Sequence, residues 1–365
     1  MAVYELTLTT LTPLHIGDGA ELRRDFDFVA RDGKTYRLNE DAILSAFPKR
    51  LKNQRGGYEL PGKMLHDEDL QNEAFFRYVL CGTPRSVQSD ARLRSFLKDA
   101  YDRPYIPGSS LKGALRTALA WTGWKEVAPQ LSMEALEYKR SSAGQRLERK
   151  LFGPDSNHDL LRAVRVSDLF GPSTAGEGLR VVNAQVQTLR SSGSPIEVEA
   201  LKSNLVFKGS LTVDETLFNE QAERILHFGS RRAWLDQLPQ RVQQHSRMRL
   251  QRMAAWFERA EGAEAIADFY RKLLQTELSS QKALVQLGWG AGWDAKTFST
   301  HLQADTALFE RIMKEYKLQH RSRSALPRKQ GDPFPQSRRV AVSVAKGNKP
   351  AAPFGWVLLE WKRIR

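Results

Sequence analysis

The chain opens with apolar and polar residues in alternation from Val3 to Leu11, a period of two that predicts a half-buried β-strand ending before Pro13. HIGDGAEL then supplies loop residues. DFDFVARDGKTYRL predicts a hairpin turning at Asp32 and Gly33. Asn39 or Asp41 can cap a short helix, DAILSAF, and a second helical stretch is predicted from about Asp67 to Leu80. Tyr105–Pro107 is extended and leads through Ser109 and Ser110 into the helix LKGALRTALAW, and Met133–Leu151 has helical apolar spacing. RAVRVSDLFGP, GLRVVNAQVQTLR and EVEALKSNLVFKGSLTVD return to strand-like patterning. Between the last two lies SSGSP, Ser191–Pro195, where a domain boundary is placed: 1–195 and 196–365. Thr216–Leu278 is mainly helical, with breaks at Gly229 and Pro239, so the second half carries a helical insertion over about 217–278. QLGWGAGWDAKTF, a helical piece near Thr306–Tyr316, a basic stretch from Gln319 to Lys349 and a last strand, GWVLLEWK, complete the chain. Strands and helices interleave without long βαβ repeats, which predicts α+β, with two split-βαβ (ferredoxin-like) units as one arrangement.

Composition adds one unusual feature. Hydrophobic residues at 41% and charged residues at 27% suit a globular protein with a core, but 56 Lys and Arg against 42 Asp and Glu leave +14. Nucleic acid leads as the partner for that excess, with acidic proteins and anionic membranes as the alternatives. The N-terminus lacks the basic start and apolar run of a signal peptide, and no stretch reaches the roughly 20 apolar residues that cross a bilayer. A cytoplasmic protein without membrane insertion is expected. The single cysteine, Cys81, excludes an intrachain disulfide and reads as a small buried residue. No CxxC pair or HExxH helix is present, so no metal site is predicted.

The segment with the sharpest chemistry is IPGSSLKGALRTA, Ile106–Ala118. A helix N-terminus carries unpaired N–H groups and partial positive charge, so its first turn prefers Asp or Glu. Here that turn holds Lys112, Arg116 follows on the same face, and no acidic residue lies in the segment. An external phosphate would meet backbone N–H groups, the Ser109 and Ser110 hydroxyls and two cations, with Gly108 and Gly113 leaving room for close approach. A nucleotide P-loop is excluded, because Ala114 and Leu115 stand where GxxxxGK[ST] needs Lys and Ser or Thr. The plain alternative is an amphipathic helix packing Leu111, Leu115 and Leu119.

IPGSSLKGALRTA, preceded by LTTLTPLHIGDG, resembles the signature of the RAMP superfamily, the ferredoxin-like RNA-binding subunits of CRISPR ribonucleoproteins. TLTPLHIGDG, the length, LGWGAGWDAKTF and PFPQSRRV together are similar to the fifth subunit of type III-A (Csm) effector complexes. The resemblance runs from Thr9 to Arg339 in four short blocks. It implies two ferredoxin-like folds and no small-molecule cofactor. It also implies a non-catalytic place at the end of the backbone filament, holding the 3′ part of the CRISPR RNA and supporting its maturation. The implied partners are CRISPR RNA, backbone RAMP subunits, and the small and large subunits of a Csm-type complex, with target RNA close by and no membrane.

Other constellations are weighed beside it. Gly288, Gly290 and Gly292 with Trp289 and Trp293 suggest backbone N–H groups near RNA and an indole for stacking, with Lys296 as a phosphate contact. The same run read from Gly290 gives GxGxxA through Ala295, but no buried parallel strand precedes it, which argues against a dinucleotide site. His15, followed by Gly17, is either a structural or RNA-contacting residue at the strand end or, as in repeat-processing RAMP endonucleases, a general base for the ribose 2′-hydroxyl. Asp25 and Asp27 fall near where target-cleaving relatives carry a catalytic aspartate; otherwise they form a solvated turn or pair with Arg23 or Arg24. Arg321, Arg323, Arg328, Lys329, Arg338, Arg339, Lys346 and Lys349 make a basic run in which Arg338 and Arg339 are the favoured phosphate contacts. Arg241–Arg252 is a cationic helical stretch that docks RNA or a neighbouring subunit, a choice the sequence leaves open.

Overall fold

Alternation along the first strand, Ala2–Thr10, buries Leu6, Leu8 and Thr10 and leaves Glu5 exposed. That strand pairs antiparallel with Val206–Val213 on one side and Trp356–Arg363 on the other, so the start of the chain is held between its middle and its end. Lys282–Gln286 extends this first sheet at one edge, and Val164–Val166, Leu169–Phe170 and Tyr105–Ile106 extend it at the other. Helices Gly108–Val127 and Leu238–Phe257 pack against each other. The computed structural model describes residues 1–52, 56–318 and 332–364; Arg321, Arg323, Arg328 and Lys329 lie outside them. The class is α+β, as the interleaved pattern predicts. No described helix is long and apolar enough to cross a membrane.

A second sheet runs in the order Gly17–Arg23, Arg92–Phe96, Ser192–Leu201, Leu179–Thr188, Phe76–Cys81, Lys34–Leu38, Phe28–Arg31, and Ser337–Ser343 also pairs with Leu179–Thr188. Residues 11–17 pass from one sheet to the other as a backbone seam. Leu11 and Thr12 N–H donate to Trp356 O, Pro13 O accepts from Gly355 N–H, and Leu14 and Leu201 exchange two bonds. His15 O accepts from Trp289 N–H, and Ile16 O from Leu97 N–H.

Three local expectations differ. Ser191–Pro195 is the turn and first residues of an antiparallel hairpin joining Leu179–Thr188 to Ser192–Leu201, so the 195/196 division passes through a paired strand. Ser, Gly and Pro mark turns and linkers alike. Asp67–Leu80 is two 3-10 turns followed by the strand Phe76–Cys81, which the distant Lys34–Leu38 recruits into the sheet and which leaves Cys81 exposed rather than buried. Within Met133–Leu151 only the part from Gln145 is α-helical, in the helix Gln145–Phe152.

Helix Leu238–Phe257 turns Val242, Leu250, Met253 and Phe257 inward, and with them His245 and Arg249. His245 sits 5.6 Å from the Trp121 ring, its Nε2 has no partner among the described residues, and burial, reinforced by Arg249, pushes its pKa down to about 3. The unfolded chain binds a proton at His245 near pH 6.5 while the folded chain resists it to about 3, so stability is full above 6.5 and falls as pH drops across that window. The expected slope from this residue is about 1.4 kcal/mol per pH unit. His245→Gln should make the acid limb of a denaturation-midpoint series shallower by about one proton; an unchanged limb would contradict the assignment.

Candidate nucleic-acid interface

The helix Gly108–Val127 starts after Pro107, with Ser109 and Ser110 inside its first turn rather than capping it. Gly108 N–H donates to Asp168 Oδ1 at 2.8 Å. The helix start therefore has its own anion, supplied from the link between strands Val164–Val166 and Leu169–Phe170, and the expectation of an empty anion site is corrected. A side chain on Gly108 would place its Cβ 2.3 Å from Val166 O and 2.6 Å from Ser167 O, so glycine here serves the docking of helix on sheet. Lys112 Nζ donates to Val164 O at 2.8 Å, and burial lowers its pKa. Arg116 grips both Asp159 oxygens at 3.0 and 2.8 Å, lies 3.1 Å from Glu148 Oε2 and covers the Phe152 ring at 4.1 Å. Both cations already have partners, which a sequence window of 13 residues does not contain. Ser109 and Gly113 remain exposed, and nothing lies within 4 Å of a Cβ built on Gly113.

The seam assembles a different site. Gly288 has φ +71°, and a Cβ there would meet His15 O at 2.4 Å, so the glycine loop lies directly on the His15 backbone. This places the Trp289 ring edge-on to His15 at 5.9 Å. His15 is 3% exposed, and its Nδ1 lies 2.6 Å from Glu199 O. A carbonyl only accepts, so Nδ1 carries the proton and Nε2 is the acceptor of the neutral ring. Burial lowers the His15 pKa and favours that neutral form. The Glu199 carboxylate in turn accepts from Phe96 N–H at 2.9 Å, Lys98 Nζ at 2.6 Å and Tyr78 OH at 2.8 Å, fixing the strand that holds the imidazole.

Two guanidiniums flank the indole. Arg339 stands 5.1 Å and Arg94 5.6 Å from the Trp289 ring centre. Arg94 lies 3.6 Å from the Glu21 carboxylate, whereas Arg339 has no carboxylate partner among the described residues. Burial and the Arg94 charge both lower the Arg339 pKa, signs of a cation held where an anion would relieve it. A cleft of about 310 Å³ opens here, lined by His15, Gly17, Glu21, Arg94, Ser95 and Trp289. Arg94 and Glu199 were not foreseen; nothing in RLRSF or VEAL distinguishes them from ordinary strand residues.

Other named residues fall elsewhere. Trp293 packs edge-to-face on Phe334 at 5.1 Å, and with Arg116 and the exposed Lys296 lines a separate cavity of about 340 Å³. Gly290 lies against Phe354, while Gly292 is open. Arg338 is buried, bonded to Asp294 Oδ2 at 3.1 Å and Pro335 O at 3.0 Å beneath Trp256, so it is a core cation and not a surface phosphate contact. Strand alternation sends it inward and Arg339 outward. In the Arg241–Arg252 stretch, Arg241 pairs with Glu126 at 2.8 Å, Arg252 bonds Gln303 at 2.7 Å and Arg249 is buried, which leaves Arg247 exposed. Asp27 Oδ2 caps Arg23 N–H at 2.7 Å, and Asp25 O accepts from Gly62 N–H at 2.8 Å, so both aspartates shape a turn. Among the described residues no group of His, Cys, Asp and Glu could hold a metal ion.

The profile of the RAMP superfamily matches residues 7–293. The chain belongs to the RAMP superfamily. It is 32% identical over 135 residues to the CRISPR system Cms protein Csm5 of Streptococcus thermophilus, an alignment spanning 32% of this chain and 37% of that protein. The chain thus matches little more than a third of that relative's length. Its fold is similar to a chain in the cryo-EM structure of a Csm–crRNA–target RNA ternary complex of a type III-A CRISPR–Cas system, with TM-score 0.72, 24% identity and coverage of 98% and 100% of the two chains. It is also similar to the crystal structure of T. onnurineus Csm5, with TM-score 0.62, 22% identity and coverage of 96% and 99%. At those identities the likeness to both structures is one of fold.

The two RAMP-signature glycines of the helix give opposite expectations. Gly108→Ala should lower stability by about 2–3 kcal/mol through overlap with Val166 O, whereas Gly113→Ala should leave it unchanged or raise it by up to about 1 kcal/mol. Urea denaturation of the two variants checks this; equal effects would refute the assigned roles.

Proposed function

We propose that this chain is a non-catalytic RNA-binding subunit of a type III-A CRISPR (Csm) ribonucleoprotein. It caps the filament of backbone RAMP subunits at the 3′ end of the CRISPR RNA, supports maturation of that RNA, and acts in cytoplasmic antiviral defence. Its partners are CRISPR RNA, the backbone, small and large subunits, and nearby target RNA. The observation that carries the reading is the end-to-end match of this fold to a chain of the Csm–crRNA–target RNA complex. The seam site supports it physically: an indole flanked by two guanidiniums, one without a carboxylate, suits a base and its phosphate. Exposed Ser109, Gly113 and Lys296, with half-buried Gly292, are further candidates for the RNA path.

The first sheet supports a ferredoxin-like reading. Its antiparallel order Trp356–Arg363, Ala2–Thr10, Val206–Val213, then Val164–Val166 and Leu169–Phe170, with helices Gly108–Val127 and Leu238–Phe257 in the connections, is the order expected of a split-βαβ unit. The binding role is supported at Asp27, whose carboxylate accepts from Arg23 N–H and so shapes a turn.

Purification from the native host, with mass spectrometry of associated proteins and sequencing of bound RNA, should return Csm-type subunits and CRISPR RNA; their absence would refute the reading. In vitro, Arg339→Ala should weaken RNA binding and reduce the slope of log K against log salt by about one, the signature of one lost phosphate contact. A folded variant with an unchanged slope would remove Arg339 from the interface.

A further inference from the structure

The cleft beside Trp289 holds a feature that phosphate binding leaves unused. His15 Nε2 lines it as a bare acceptor, on a side chain 97% buried by its 3% exposure, with no hydrogen-bond partner among the described residues. Phosphate oxygens carry no proton at neutral pH and offer this nitrogen nothing. The Glu21 carboxylate on the rim is a second acceptor. Glu21 already faces Arg94, which also lines the cleft, so Nε2 is the acceptor that asks for a donor, while Arg339 stands beside the indole. An unpaired Nε2 in the lining, with Arg94 and Arg339 near the indole, fits a sugar hydroxyl at the nitrogen and phosphates toward the cations.

We propose that this cleft takes the ribose of one nucleotide and that His15 Nε2 accepts a hydrogen bond from its 2′-hydroxyl, so that the chain distinguishes RNA from DNA here. The inference rests on the RNA-binding role above. The volume, about 310 Å³, lies at the small end of ligand sites and admits one nucleoside rather than a longer piece of chain. Gly17 keeps the acceptor uncovered: a Cβ on it would stand 3.0 Å from Nε2. The Nδ1 bond to Glu199 O fixes which nitrogen accepts, and burial keeps the ring unprotonated at neutral pH. The 2′-hydroxyl is the donor that RNA has and DNA lacks.

Binding of a single-stranded RNA oligonucleotide and its 2′-O-methyl counterpart of the same sequence, measured on the full chain, tests this. Methylation removes the donor and keeps the phosphates. Wild type should prefer RNA. His15→Asn keeps a donor for Glu199 O but leaves no acceptor at the Nε2 position, and Gly17→Ala covers that position, so both should lose about fivefold of that preference. Arg339→Ala should weaken both strands equally and leave the ratio intact. Circular dichroism melts identify the folded variants, and Gly17→Ala provides the test should His15→Asn not fold. A folded His15→Asn or Gly17→Ala chain with the wild-type ratio overturns the proposal, as does a wild-type ratio of one with RNA still bound. Wild type that binds neither strand overturns the RNA-binding role and this inference together.

Discussion

The structure depends on the backbone seam at residues 11–17, which spends its hydrogen bonds on four distant parts of the chain. Within seven residues it bonds to the C-terminal strand through Trp356 and Gly355, to the second sheet through Leu201 and Leu97, and to the glycine loop through Trp289. A chain that must satisfy nearly every buried backbone group has few ways to do so at a crossing between two sheets. The solution here requires Gly288, because the loop lies on His15 O with no room for a Cβ. The same constraint that joins the sheets thus sets Trp289 against the His15 ring and brings Arg339 above it.

Net charge is a poor guide to where such a chain has room for an anion. Arg116, Arg241, Arg252 and Arg338 all have acceptors within the fold, and Arg249 is wholly internal, bonded to Gln286 and Ala291 O, with burial pushing its pKa down to about 10. These arginines hold helices and loops together by paired or cation–π contacts. What distinguishes Arg339 is not its charge but that its neighbours are an indole and another cation.

Period-two patterning marks the first strand and the Asp32–Gly33 turn marks the hairpin, since both signals lie in the element's own residues. The strand Phe76–Cys81 was read as helix because its state is decided by a partner some forty residues away. The glycine blocks were legible as important positions, but their roles were not. Gly108 and Gly113 look alike in sequence, and only the Val166–Asp168 turn, far along the chain, makes one a packing glycine with an anion beside it. Arg338 and Arg339 were likewise equivalent until strand alternation separated them. Arg94 and Glu199 carried no signal, because a site residue supplied by an ordinary strand has ordinary neighbours.

We propose that RNA crosses the seam, where residues 15–17, the Trp289 loop and Arg339 meet, and not the cations at the helix start. Ultraviolet cross-linking of the RNA-bound protein, followed by mass spectrometry of the peptide–nucleotide adducts, measures this directly. The account predicts adducts on the peptides carrying His15 and Trp289. Adducts confined to the Lys112–Arg116 helix, with none at Trp289, would contradict it.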